Sequence, residues 1–281
     1  MHRTDLIRAI GIRVVALMVA FAFVLLLPPY PLWLAVVVLG QGHFFLAYLY
    51  QIEAGKWTPR RTAILFAWFA LILWALVQFP VVVAAFITGV GFLVHFALDE
   101  ARLLSEKPTL YTTLESMPFV ALYSALLSDA LLKTHLFWPV FFGALGIIAL
   151  YGIVVIARRR KPNAASYAFA GWFLVTLVVH ALWPTAPSFP LIFFWGLVLV
   201  HYSIWYGVYW FRLEKQPARR TDYIQRVALV NVFLVLPLFL WTLGGVSFLF
   251  LLFAPIMFDV WTFHHGIASL RGNEESAFSF S

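Results

Sequence analysis

Residues 38–51 read VLGQGHFFLAYLYQ, an apolar run that is interrupted by two glycines, Gln41 and His43. The apolar run extends over residues 32–50, which is long enough for a helix that crosses a bilayer. An imidazole and an amide inside such a helix are costly in hydrocarbon, so they mark a place where the membrane interior holds something polar. This stretch therefore predicts a transmembrane helix that carries a functional group.

The composition extends this interpretation to the whole chain. Of its 281 residues, 63% are hydrophobic and 11% are charged, and there is no cysteine. A soluble domain has about 25% charged residues, so the bilayer is the natural solvent for this chain. We predict a single transmembrane domain over residues 1–272 and a polar cytoplasmic tail over residues 273–281. The lack of cysteine excludes disulfides, thiolate metal ligands and a cysteine nucleophile.

The distribution of basic residues predicts the topology. Eighteen of the 19 lysines and arginines lie near the N-terminus or after even-numbered spans, and Lys133 is the exception. The positive-inside rule then places both termini in the cytoplasm, in the cell inner (plasma) membrane. We predict an all-α, polytopic fold of ten transmembrane helices in five hairpins, or eight spans if one hairpin is re-entrant. The ten spans lie at residues 10–27, 32–50, 62–79, 81–98, 114–132, 137–157, 167–183, 191–211, 227–243 and 246–263.

Two charged residues near the ends of spans are expected to contact water. Arg13 lies close enough to the start of the first span to snorkel toward the interface. Glu100 follows the fourth span at the cytoplasmic boundary. Both side chains are therefore predicted to be solvated.

Histidines recur on spans that cross the membrane in the same direction. Spans two, four, eight and ten all run from outside to inside, and each carries histidine in its cytoplasmic half. Their similar depth predicts that the imidazoles converge on one metal site. Imidazole binds iron, copper, zinc and nickel, and bis-histidine haem also stays open. The candidate ligands are His43, His95, His201, His264 and His265, with either of the last two as the fourth ligand.

Two carboxylates accompany these histidines. Asp99 lies four residues after His95 and shares its helix face, so it is placed to orient that imidazole. Asp259 lies inside span ten, before His264, and a carboxylate at this depth needs a partner. We therefore predict that Asp99 and Asp259 are catalytic, as orienting groups or proton shuttles.

The motifs GQGHFF at residues 40–45 and VHFALDE at residues 94–100, with isolated histidines on separate helices, resemble the Brp/Blh family of intramembrane carotenoid-cleaving oxygenases. The resemblance implies a non-haem ferrous iron held by four intramembrane histidines, with β-carotene as substrate and dioxygen as oxidant. A histidine followed by glycine, expected near a family ligand, occurs among the candidates only at His265.

Three functions follow from these patterns. The first is a metal-dependent oxidoreductase or oxygenase, with Fe(II) or another imidazole-binding metal, that acts on an isoprenoid, carotenoid or acyl substrate in the bilayer. The second is a non-enzymatic assembly or scaffold protein with a membrane-protein partner. The third is a proton-coupled transporter of small solutes. A nucleic-acid partner is excluded because the basic residues flank membrane spans.

Overall fold

The structure is a computed structural model, and it describes residues 3–53, 55, 57–104, 117–134, 137–157, 171–172, 175, 189–243 and 254–271. Within these ranges the chain forms helices and no strands. The helices are α1 (Arg3–Leu26), α2 (Pro29–Glu53), α3 (Pro59–Val77), α4 (Val81–Leu104), α5 (Met117–Leu132), α6 (Phe137–Ala157), α7 (Phe189–Arg212), α8 (Pro217–Thr242) and α9 (Pro255–Arg271).

Five helical segments in the described ranges are long and apolar enough to cross a membrane. The segments are Ile7–Leu26, Pro29–Glu53, Pro59–Val77, Val81–Glu100 and Pro217–Leu240. Many of their large apolar side chains, including Phe66, Trp74 and Phe233, are exposed on the protein surface, where a bilayer would solvate them. The structure thus confirms an all-helical fold for the described residues, and the five segments are compatible with a membrane protein.

Proline and threonine set the ends of several helices. Pro59 occupies the first turn of α3. A backbone N–H there would have no partner within the helix, so proline costs no hydrogen bond. Thr58 caps that helix by accepting a hydrogen bond from the backbone N–H of Arg61 at 3.2 Å. Pro80 lies in the short turn between α3 and α4. The turn at Pro80 lies where the sequence predicts that the chain passes from the third span into the fourth.

Tertiary contacts divide the chain into two compact units. The first unit comprises Met1–Leu32 and Leu93–Val208, and the second comprises Trp33–Phe92 and Tyr209–Ser281. In the first unit α5 packs against α6. Glycines also admit close neighbours in this unit: Trp172 lies over Gly196, and Ile12 lies over Gly207.

The second unit has apolar contacts between α2 and α8 and around α9. Val37 and Val38 pack against Leu234 and Leu238. Val260 of α9 packs against α3 and α4, at Ile72, Leu76 and Ala84. These contacts hold α2 and α9, the two helices of this unit that carry candidate histidines, against their neighbours.

Several predicted spans differ from the described helices. The fourth span was predicted to end at residue 98, whereas α4 continues to Leu104, so Asp99 and Glu100 lie within a helix. Helix α8 begins at Pro217 instead of residue 227. Most of span seven, the first part of span ten and the tail at residues 273–281 lie outside the described residues. The count of ten spans stays a prediction.

Candidate metal-binding site

Two histidines and a carboxylate converge in the first unit. His95 and Asp99 lie one turn apart on α4, and His201 comes from α7. Asp99 Oδ2 is 3.2 Å from His95 Nε2 and 4.0 Å from His201 Nε2. The imidazole ring centroids are 5.2 Å apart, and one potential ligand atom from each residue lies within 4.8 Å of the other two. This group is called the His95–Asp99–His201 triad below.

The spacing of the triad suits one small metal ion. Two donor atoms that each lie about 2.1 Å from an ion are roughly 3.0–3.4 Å apart at angles of 90–110°. The distance from His95 to Asp99 falls in this range, and the distance from His201 to Asp99 exceeds it by less than about 1 Å. The three residues are 2–7% exposed, so water has little access to them. Phe96 lines the site, with its ring centroid 4.9 Å from that of His201.

A buried ion pair lies beside the triad. Arg13 of α1 donates to Glu100 Oε2 from Nε at 2.8 Å and from Nη2 at 2.5 Å. Its Nη1 donates to the backbone carbonyl of Ala9 at 2.8 Å. The predictions that Arg13 snorkels and that Glu100 is solvated are both wrong, because each side chain satisfies the other inside the protein.

The second unit brings together another pair of predicted ligands. His43 of α2 and His265 of α9 face each other with their Nε2 atoms 3.0 Å apart. Their ring centroids are 4.7 Å apart, and Phe44 lies against His265 at 4.8 Å. Both histidines are buried. Two imidazole nitrogens at this separation can share a proton or serve as adjacent ligands of one ion.

His264 has a different set of contacts from His265. Its Nε2 lies 3.1 Å from the backbone carbonyl of Leu65, and its Nδ1 lies 2.6 Å from the hydroxyl of Tyr48. A carbonyl oxygen only accepts, so Nε2 carries the proton, and in neutral imidazole Nδ1 then accepts from Tyr48. Both ring nitrogens of His264 are engaged. Of these two neighbours, His265 is therefore the better candidate ligand.

Comparison of the chain with protein-family models, with curated proteins and with solved structures found no match. The likeness to the Brp/Blh family thus rests on the two sequence motifs. Evidence for the function comes from the side-chain geometry within each unit.

Asp259 is not a member of the groups of potential ligands described above. It is half-buried on α9, and it forms no hydrogen bond or ion pair with the residues that the structure describes. None of the groups of potential metal ligands found in those residues includes it. Its predicted catalytic role stays a prediction.

Sequence reasoning missed three residues around these groups. Tyr48 donates to Nδ1 of His264, and Asn231 of α8 packs against the backbone of Gly42, beside His43. For Arg13, the sequence predicted only a charge near the membrane interface. Gly42 was a usable signal for a close neighbour such as Asn231, because a glycine beside a buried ligand leaves room for a side chain from another helix. No comparable signal indicated Tyr48 or the pairing of Arg13 with Glu100.

Proposed function

We propose that this chain is an intramembrane metal-dependent oxidoreductase that binds its metal at the His95–Asp99–His201 triad. The observation that carries the proposal is the convergence of two imidazoles and one carboxylate in a buried site. Such a carboxylate is expensive in a low-dielectric interior, and a bound cation offsets that cost. Asp99 is thereby proposed as a ligand, in addition to the orienting role that its spacing from His95 predicts.

The donor set favours ferrous iron. Two histidines and one carboxylate with open positions are the ligand pattern of non-haem Fe(II) oxygenases. When bound, ferrous iron would supply one-electron chemistry toward dioxygen. His95, Asp99 and His201 would hold the ion, and their burial would exclude water. The aromatic side chains of Phe96 and Tyr202, also buried, suit a lipophilic substrate of the isoprenoid, carotenoid or acyl type.

His43 and His265 are proposed as further ligands because their Nε2 atoms face each other. The sequence prediction that all of these histidines hold a single ion stays a prediction. The proposal also includes the ten-span topology in the inner membrane with both termini cytoplasmic.

Metal analysis of the detergent-purified protein tests the proposal. We expect stoichiometric iron, or another imidazole-binding metal, in the wild type and at least about a tenfold weaker metal affinity after His201→Ala or Asp99→Asn. His135→Ala, which removes a histidine that the sequence predicts in an outer turn after span five, is the matched control and should keep its metal. If His43→Ala also abolishes all binding and the wild type holds one ion per chain, a single shared ion is supported.

The opposite result is equally clear. Wild-type protein that is purified without iron, copper, zinc, manganese or nickel, and that takes up none on titration, would exclude the enzyme proposal. The scaffold function would then be favoured, with the histidines as hydrogen-bonding groups. A haem absorption band in the visible spectrum would replace the proposed site by bis-histidine haem.

A further inference from the structure

The buried charges of the described residues are concentrated in the first unit. Among the Asp, Glu, Lys and Arg side chains whose exposure the structure gives, only Arg13, Asp99 and Glu100 are buried, at 3%, 7% and 0% exposure. All three belong to the first unit. One is a cation and two are potential anions, and the anions are consecutive residues of α4. The charge at the metal site therefore depends on which of the two carboxylates Arg13 neutralises.

The geometry of Arg13 assigns the cation to Glu100. Arg13 directs both Nε and Nη2 to Glu100 Oε2, and Nη1 to the Ala9 carbonyl. A guanidinium keeps its charge in proteins, so the cation is permanent. Glu100 Oε1 has no hydrogen-bond partner within the part of the chain that the structure describes. The arginine thus neutralises Glu100 at one oxygen, while Asp99 Oδ2 faces the imidazoles.

We propose that the Arg13–Glu100 pair sets the charge of the metal site, by cancelling the second carboxylate and keeping it out of the ligand set. This inference rests on the proposed metal site. The triad then contributes one negative charge, and a divalent ion bound there leaves a net charge of about +1. A site of that charge in an apolar interior favours one monoanionic co-ligand, because the complex with it is neutral. Arg13 and Glu100 are positioning residues that contact neither metal nor substrate.

The test changes the charge of the pair without touching the triad. Glu100→Gln leaves the charge of Arg13 unbalanced, whereas Arg13→Met/Glu100→Met removes both charges and preserves their sum. With cobalt(II) as the probe, we expect Glu100→Gln to bind the ion at least about tenfold more weakly than wild type, because an uncompensated cation repels a divalent ion across a low-dielectric interior. The double variant should bind cobalt within about threefold of wild type.

Azide provides a readout that a purely structural role would not produce. Azide is a monoanion, so it should bind more tightly to cobalt-loaded Glu100→Gln than to cobalt-loaded wild type, when followed by the visible cobalt spectrum. Metal affinity and azide affinity therefore move in opposite directions in this variant. A loosened site would weaken both.

The matched control is Glu53→Gln in the second unit. It also removes a carboxylate partner of an arginine, Arg226, but Arg226 keeps Asp222 as a second partner, and Glu53 is exposed, so water screens the change in charge. Its cobalt affinity should equal that of wild type. If the double variant binds cobalt as poorly as Glu100→Gln, or if azide affinity falls with metal affinity, the charge-setting role is overturned while the metal site stands. A wild type that binds no cobalt overturns both.

Discussion

His264 and His265 are neighbours in sequence, yet their side chains meet different partners because successive residues of an α-helix point about 100° apart. His264 is held between the Tyr48 hydroxyl and the Leu65 carbonyl. His265 faces His43. The sequence could not choose between them, since both lie at the same depth. The choice depends on the neighbouring helices that supply Tyr48 and Leu65.

The hydrogen bond from Tyr48 is expected to stabilise the fold without binding metal. Tyr48→Phe removes the donor and leaves Nδ1 of His264 as a buried acceptor, so the free energy of unfolding should fall by about 0.5–2 kcal/mol. Denaturation in mild detergent measures this loss, and the metal content should stay that of wild type. Tyr30→Phe, at an exposed tyrosine, is the control. Equal stability of the two variants would contradict the role assigned to Tyr48.

The candidate site was predictable where it depends on local spacing. His95 and Asp99 are four residues apart, and helical periodicity alone places them on one face. Arg13 and Glu100 are separated by 87 positions, so their pairing depends on how α1 packs against α4. A charge near the end of an apolar run was therefore interpreted as solvated. The error came from treating each span as if water or lipid were its only neighbour.

At the scale of helices, glycine positions show where backbones and side chains approach closely. A Cβ atom on Gly42 would lie 2.6 Å from Asn231 Oδ1, and one on Gly91 would lie 2.8 Å from Phe263 Cε2. The tightest approach is at Gly196 of α7, where a Cβ atom would lie 1.9 Å from Trp172 Cζ2. These contacts support close packing of helices through small residues.

Gly196→Ala is expected to disrupt the packing around Trp172. The indole is fully buried, so it cannot move aside without displacing other core atoms. We expect a loss of about 1–3 kcal/mol or more in the free energy of unfolding, or failure to accumulate as folded protein. Gly152→Ala on α6 is the matched control, because nothing lies within 4 Å of its added Cβ atom. It should be neutral or more stable by up to about 1 kcal/mol. A Gly196→Ala protein as stable as this control would show that the packing is looser than the structure indicates.

The bounds of the helices were predictable to the extent that charge marks the end of a span. This rule failed at α4, which continues through Asp99 and Glu100 to Leu104. Both carboxylates meet partners inside the first unit, so this helix carries buried charges past the end of its apolar run. A sequence shows the cost of burying a charge but does not show the partner that offsets it.

For the whole molecule, composition alone indicated the membrane class, because 11% charged residues cannot cover a water-facing surface of this size. The described helices agree with that prediction. The division into two units, each built from two separate segments of chain, was not predictable from hydropathy. It results from packing between helices that are distant in sequence, such as α2 with α8 and α3 with α9.

The ten-span topology can be tested with single cysteines, because the chain has none of its own. Gln78→Cys and Thr134→Cys lie in turns that follow α3 and α5, and both positions are exposed. The positive-inside rule places these turns outside, so both should react with a membrane-impermeant maleimide in intact cells. Glu214→Cys, in the exposed connection between α7 and α8, should react only after the membrane is opened. Labelling of Glu214→Cys in intact cells without labelling of the other two would indicate the opposite topology, with both termini outside. A difference between Gln78→Cys and Thr134→Cys would favour eight spans, because the tip of a re-entrant hairpin does not reach the outside, whereas all other turns stay on the side that ten spans give them.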